Sequence, residues 1–378
     1  MKLFTIADIH IGANLDEQLL YNQLSDLFIS KILKEKPDVV AVLGDVSDKI
    51  LTINSKAGKI YFKFNDELME SCESVGASLI YLNGTKSHDE DQLSVIEMRS
   101  KKFTNLDVRF YRKLTSDLIK GVRFLMVPEE YIKDKDSYFD KVFNDGIYDC
   151  ILMHGVIDKV TVIAKNQSSE KTHPNAPVFI LDDLYNICKG PIISGHIHSH
   201  MFIDNKFFYV GSFTRWKFGE EETKGFMIFD ITNTGHFECK FIENTGAPIY
   251  KEVKRGLNSA LFNMDIEEAL RRILDYKNTL EYFKLKLNIQ IPENYENVKL
   301  FTDSVRELFA LDKNINIVIK SDAVNKSNEK VKQQIEVMLK QYDYIFNKSI
   351  SDQEKISLFI KDKFNYEVST TEVGKYIY

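Results

Sequence analysis

The chain is short of cysteine, of excess positive charge and of long apolar runs, and each shortage narrows what it can be. Its 378 residues hold four cysteines, Cys72, Cys150, Cys188 and Cys239. They lie far apart and form no Cys-x-x-Cys pair. That pattern excludes a zinc knuckle and a disulfide framework and points to reduced core thiols in a cytoplasmic protein. No run approaches the roughly 20 apolar residues that span a bilayer, so no membrane segment is expected. The first apolar run, Leu3-Phe4-Thr5-Ile6, meets charged residues at once and lacks the long apolar stretch of a secretory signal. The formal net charge is −6, unlike the basic domains that bind nucleic acid by charge alone. Carboxylates that hold cations also count as negative, and divalent cations bring phosphate to an acidic face. The balance of charge therefore leaves phosphate substrates open. There is no internal repeat and no low-complexity segment.

What is present is a β/α alternation up to about Asp230. Apolar runs Leu3–Ala7, Val39–Leu43, Ser78–Leu82, Arg123–Val127, Cys150–Met153, Pro191–Ser194, Phe207–Val210 and Gly225–Phe229 read as strands. Glu17–Lys34 places Leu20, Leu24, Leu27 and Phe28 on one helical face, stopped by Pro37, and a second long helix covers Ile60–Glu73. Val39–Leu43 is apolar throughout, as in a strand covered on both faces. The expected fold class is α/β, a core of two layered sheets flanked by helices. After about Gly246 a small α+β unit is expected. Asp265 with Glu268 opens a helix over Ile266–Tyr276, and Phe283–Ile291 alternates as a half-buried strand. From Asn325 a narrow stripe, Val331, Ile335, Met338, Tyr342 and Ile345, reads as a helix. Ser351 with Glu354 opens another over Lys355–Phe364. The expected division is 1–246, 247–322 and 323–378.

Four strand ends carry polar residues that ligate metals. Asp8 and His10 follow the first strand at i and i+2, so both side chains point one way. Asp45 and Asp48 follow Gly44, which lets the chain turn off the second strand at the edge where ligands of open α/β sheets bind. His154 follows Tyr148–Met153. His196 and His198, again at i and i+2, follow Pro191–Ser194, with His200 as a neighbour. Each cluster alone is as easily a helix cap or a surface loop. Together they mix carboxylate with imidazole and contain no thiolate, a set that suits manganese, iron or zinc. Six ligands exceed one structural zinc and suit two ions about 4 Å apart sharing one carboxylate. Such a pair neutralises a phosphate oxygen and prepares water for in-line attack on phosphorus.

The order Asp8-x-His10, Gly44-Asp45-x-x-Asp48, Gly84…His88-Asp89, His154-Gly155, Gly195-His196-x-His198 resembles that of the calcineurin-like metallophosphoesterases. The stretch Tyr209-Val210-Gly211-Ser212-Phe213-Thr214-Arg215-Trp216-Lys217-Phe218-Gly219-Glu220 further resembles the close of the nuclease domain in SbcD-type subunits of recombination and repair nucleases, in a divergent, phage-type form. The resemblance covers about the first 230 residues. It implies that Asp8, His10 and His198 hold one metal, that His154 and His196 hold the other, and that Asp45 bridges them. Asp48 would orient the shell, and His88 would contact the scissile phosphate and act as general acid. The family's Gly-Asn-His-Asp loop is here Gly84-Thr85-Lys86-Ser87-His88-Asp89. Its metal-binding Asn is missing, and Ser87 stands before His88 with a hydroxyl to offer.

By resemblance the chain is expected to be a manganese-dependent DNA nuclease, a double-strand exonuclease and single-strand endonuclease. Residues 247–322 would cap DNA, and 323–378 would dock an SMC-like (SbcC-type) ATPase in a complex with a homodimer of the nuclease subunit. Two alternatives stand beside it. One is a phosphatase or phosphodiesterase acting on small substrates through the same site. The other is a weakly active scaffold that holds the ATPase.

Overall fold

The computed structural model describes all residues except 14, 90–91, 135–136, 140–145, 161–172, 233, 254–258, 293–294, 322–349, 365 and 374–378. The expected helical stripe from Val331 to Ile345 falls outside the described residues. The chain divides into two compact units, 1–252 with 281–286, and 253–280 with 287–378.

The first unit is built on two six-stranded mixed sheets. One runs in the order Phe237–Glu243, Gly225–Ile231, Lys2–Ile6, Val39–Leu43, Ser78–Leu82, Val108–Tyr111. The other runs Met201–Ile203, Phe207–Tyr209, Ile192–Gly195, Cys150–His154, Val122–Val127, Thr115–Ile119. Alternation within strands that are apolar throughout explains the layering. Leu3, Val39, Ala41, Leu43 and Ile80 turn inward to meet Phe124, Met126, Cys150, Leu152 and Ile193 of the other sheet. Their neighbours Phe4, Ile6, Val40, Val42 and Tyr81 turn outward beneath Leu24, Phe28, Tyr61, Phe64 and Leu68 of the helices. Ile151, Met153 and Ile192 turn out under Leu181 and Leu184 on the far side. The result is a helix, sheet, sheet, helix sandwich with three apolar layers.

Four strands of the first sheet, Lys2–Ile6, Val39–Leu43, Ser78–Leu82 and Val108–Tyr111, are parallel. So are Val122–Val127, Cys150–His154, Ile192–Gly195 and Phe207–Tyr209 of the second. Parallel strands bring all their C-terminal ends to one edge, and with it the loops that follow them.

The helices show how their ends are set. Ser55 caps Lys56–Val75 by accepting from the Gly58 amide, and Gly76, in the left-handed region, closes it. The helix expected over Glu17–Lys34 is continuous but widens to π geometry over Leu24–Ile29. Lys36, at φ 48°, ends it one residue before Pro37. Strands Val108–Tyr111, Thr115–Ile119 and Phe237–Glu243 were not legible as strands. All three are edge strands that bury few side chains, so the few inward residues, such as Tyr111, Ile119 and Phe237, leave only a weak apolar pattern to read.

In the second unit Asp265 caps helix Ile266–Asn278 through the Glu268 amide at 2.8 Å. Phe301 and Val305 are the buried face of Val298–Leu308, and Phe301 packs with Phe262 and Tyr295. Lys284–Ile291, whose residues up to 286 belong to the first unit, alternates as expected, with Leu285, Leu287, Ile289 and Ile291 buried. Ser351 accepts from the Glu354 amide at the start of Asp352–Phe364. Among the described residues no helix is long and apolar enough to cross a membrane. All four cysteines are free, and Cys72, Cys150 and Cys188 are buried.

Candidate metal centre

The loops at the shared sheet edge turn back sharply. Asp8, His10, Asp45 and His196 all have positive φ, between 48° and 82°. Asp and His tolerate the left-handed region better than most residues, and four such turns in one place bend separate strand ends onto one point. Gly44 is a further requirement. At φ +82°, an added Cβ there would come 2.4 Å from Nδ1 of His154, so only glycine lets the two sheets approach this closely.

The turn geometry brings Asp8, His10, Asp45, His154, His196 and His198 together, each 3% exposed or less. Ligand atoms of Asp8, His10 and His198 lie within 4.8 Å of one another, as do those of Asp8, Asp45 and His154. Asp45 sits between two groups. Its Oδ2 is 3.9 Å from His10 Nε2 on one side and 3.3 Å from His154 Nε2 on the other. Nε2 atoms of His10 and His198 approach to 3.1 Å. His88 is buried, its Nδ1 3.4 Å from Asp45 Oδ2 and its ring edge-on to His10. Asp48 is part exposed, with Oδ1 3.6 Å from His10 Nδ1.

Partners around the rim fix which ring nitrogens face inward. His154 donates from Nδ1 to the Leu43 carbonyl at 2.7 Å. A carbonyl only accepts, so Nδ1 carries a proton, and when the ring is neutral its lone pair is at Nε2. His198 likewise places Nδ1 3.0 Å from Glu220 Oε1, leaving Nε2 turned to His10. Glu220 is itself held by the Trp216 amide, and the Trp216 ring packs on both His10 and His198. The segment after Phe207–Tyr209 thus closes over one side of the centre. Asp89 accepts from the amides of Asp45, Val46 and Gly84 at 2.7, 3.1 and 3.0 Å and so pins the turn that carries Asp45.

A carboxylate that sequence reading did not single out also arrives here. Glu129, 8% exposed, follows strand Val122–Val127 at the same edge. It forms a third donor group with His154 and His196, its Oε2 3.2 Å from His196 Nδ1 and 3.8 Å from His154 Nε2. The available signal was positional: Pro128-Glu129-Glu130 ends a buried strand, as Asp8 and Asp45 do. In the altered Gly84–Asp89 loop, Ser87 is exposed. Thr85 is buried instead, its amide 2.6 Å from Asp45 Oδ1 and its hydroxyl 3.2 Å from Asp45 Oδ2.

The electrostatics are those of a cage built around positive charge. Burial, only partly offset by His154 and His196, pushes the Asp8 carboxyl up to about 7. Burial and the charge of Asp45 do the same to Asp89. Burial pushes Asp45 upward too, but His154 and His88 outweigh it and hold Asp45 well below the carboxylate range. Burial and Lys224 hold His198 well below the usual imidazole value. Nε2 of His154 and both ring nitrogens of His196 are buried without a hydrogen bond. Buried polar atoms are nearly always satisfied, and here several point at one spot among carboxylates. This donor set fits divalent cations of the manganese, iron or zinc kind.

No protein-family model matches the chain. Among solved structures, one chain matches at 12% identity over 64% of this chain and 98% of its own length, with TM-score 0.39. A dimetal phosphatase from Danio rerio matches at 10% identity over 61% of this chain and 92% of its own, with TM-score 0.36. Likenesses this distant carry no weight for chemistry, which rests on the site itself.

Proposed function

We propose that the chain is a two-cation phosphodiesterase acting on DNA, the nuclease subunit of a recombination and repair complex with an SMC-like ATPase. The observation that carries the phosphoesterase reading is the convergence of three carboxylates and five imidazoles, from separate strand ends of both sheets, on one buried centre. Two divalent cations bound there, manganese for preference, supply charge neutralisation at a phosphate oxygen and a water prepared for in-line attack. Asp8, His10 and His198 hold the first, His154 and His196 the second, and Asp45 is shared. Leu43, Glu220 and Asp89 fix ring tautomers and the Asp45 turn, so the shell is in place before substrate arrives. His88 stands beside Asp45 and donates a proton to the leaving oxygen.

The DNA substrate and the partner rest on the resemblance of Tyr209–Glu220 to SbcD-type subunits. Trp216 and Glu220 of that segment lie against the centre, which is consistent with its having a role there. By the same resemblance, residues 247–322 cap DNA, 323–378 dock the ATPase and the nuclease subunit pairs with itself; the scattered, unpaired cysteines support a complex that works in the cytoplasm.

The test is degradation of linear duplex DNA with manganese and with magnesium. Wild type is expected to cleave, best in manganese, and Asp45→Ala to be inactive. His88→Ala is expected to bind cations normally and cleave at least 100-fold more slowly, roughly the range of general acid catalysis. Cleavage of a small chromogenic diester but of no DNA, even with the ATPase present, would make the substrate a small phosphoester. Failure to bind any divalent cation would end the enzymatic reading.

A further inference from the structure

We propose that Glu129 is a ligand of the second cation, its carboxylate joining His154, His196 and the shared Asp45 in place of a donor from the Gly84–Asp89 loop. The inference rests on the two-cation reading above.

The placement comes from the sheet. Val122–Val127 is the parallel neighbour of Cys150–His154, so Glu129 leaves its strand beside His154 and on the same edge. Its side chain is buried and turned inward, with Oε2 3.2 Å from His196 Nδ1. A simple buried ion pair between Glu129 and His196 is the competing explanation, and it leaves too much unsatisfied. Nδ1 of His196 is close to the carboxylate but makes no aligned hydrogen bond to it, Nε2 of His196 makes no hydrogen bond, and Nε2 of His154 lies 3.3 Å from Asp45 Oδ2, again without an aligned bond. Three buried nitrogens without hydrogen bonds beside a buried carboxylate are costly. A cation among them answers all of these atoms at once.

The loop that would otherwise supply the donor is committed elsewhere. Ser87 is exposed. The Thr85 hydroxyl lies 3.1 Å from Glu129 Oε2 and 3.2 Å from Asp45 Oδ2. Its single proton is shared between the two carboxylates, or given to one of them, and so holds them in place with the hydroxyl oxygen left outside the cation's shell. Exchanging a neutral donor for a carboxylate adds one negative charge to the second subsite, and a neutral amide at position 129 should therefore hold the second cation less well.

The experiment counts manganese bound to the purified full chain by equilibrium dialysis with elemental analysis. Electron paramagnetic resonance follows the spin-coupled pair. Wild type is expected to bind two ions and show the coupled signal. Glu129→Gln, nearly isosteric, is expected to keep one ion at wild-type affinity, bind the second at least tenfold more weakly and lose the coupled signal. Glu129→Asp is expected to recover part of it, and circular dichroism verifies that each variant is folded. Two ions of unchanged affinity in Glu129→Gln overturn the assignment while leaving the two-cation centre intact. One ion or none in wild type removes the two-cation reading and this inference with it.

Discussion

The two halves of the centre are built differently. Asp8 and His10 form one i, i+2 pair, His198 shares its pair with His196 of the other half, and His198 is steadied by a carboxylate, Glu220, that lies outside the cage. Around His154 and His196 the donors come one from each strand end. His154 is steadied by a backbone carbonyl, and a carboxylate, Glu129, lies inside the cage. The first half spans both sheets, Asp8 and His10 following Lys2–Ile6 of one and His198 following Ile192–Gly195 of the other. The second comes almost wholly from one sheet, in which Val122–Val127, Cys150–His154 and Ile192–Gly195 are neighbours, and Asp45 reaches it from the other sheet to tie the halves together.

Removing the tie should produce the largest effect. Asp45→Ala takes away the carboxylate that faces His10, His88 and His154 at once. Phosphodiester cleavage is expected to fall roughly 10³-fold or more, and both cations to be lost together. Loss of one ion alone, measured by elemental analysis, would show that the halves do not share this residue.

Stripping the cations is the next largest perturbation, and its sign follows from the carboxyls. Asp8 and Asp89 titrate near 7 in the folded chain against 3.8 for a free carboxyl. The folded, cation-free protein therefore binds more protons than the unfolded chain between these values. The stability these two carboxyls contribute falls progressively as pH rises from about 4 and is fully lost above about 7. His154, raised well above 6.5 chiefly by Asp45 against the opposing effect of burial, acts in the same direction. His198, lowered by burial, opposes them below 6.5. Cations take the place of the protons, so saturating manganese should add about 3 kcal/mol per site at a hundredfold excess over Kd. The drop in Tm on chelation is expected to be larger at pH 8 than at pH 6. An equal drop at both, by scanning calorimetry, would mean that the carboxyls do not change charge in this range.

The same comparison explains what sequence could and could not disclose. The α/β layering was legible because buried parallel strands are apolar on both faces, as Val39–Leu43 is. The i, i+2 pairs were legible by their spacing after strands, although the structure brings them in by sharp turns at positive φ in Asp8, His10 and His196 and not by extended alternation. Glu129 was not, because a Pro-Glu-Glu run after a strand looks like any surface turn until Val122–Val127 is known to adjoin Cys150–His154. Nor could spacing decide between Thr85 and Ser87. Gly84 approaches so near that an added Cβ would sit 2.3 Å from Asp45 Oδ1, and this closeness turns Thr85 inward while the short turn Lys86–Asp89 carries Ser87 out.

A smaller effect separates the halves by their supports. Glu220→Gln weakens the hold on His198 Nδ1 while leaving the second half untouched. Outer partners of metal-binding histidines are usually worth 10–100-fold in affinity. The Trp216 amide can still be accepted by the glutamine, so about tenfold for the first cation alone is expected, read by titration of wild type and variant. Equal weakening of both cations would show that Glu220 serves the whole centre.

The finest distinction lies within the altered loop. Thr85→Val keeps the amide bond to Asp45 and the side-chain shape but removes the hydroxyl that lies near both Asp45 and Glu129. A single hydrogen bond to a carboxylate contributes about 1 kcal/mol or slightly more, so the second cation should bind roughly fivefold more weakly and the first should not change. Ser87→Ala alters an exposed hydroxyl and should leave both affinities within about twofold, the ordinary range for surface changes. If Ser87→Ala has the larger effect in metal titrations, the loop must turn the other way when the cations bind, with the serine moving in and the threonine out. The paired variants thus ask whether the loop seen here is already the one that holds the cation.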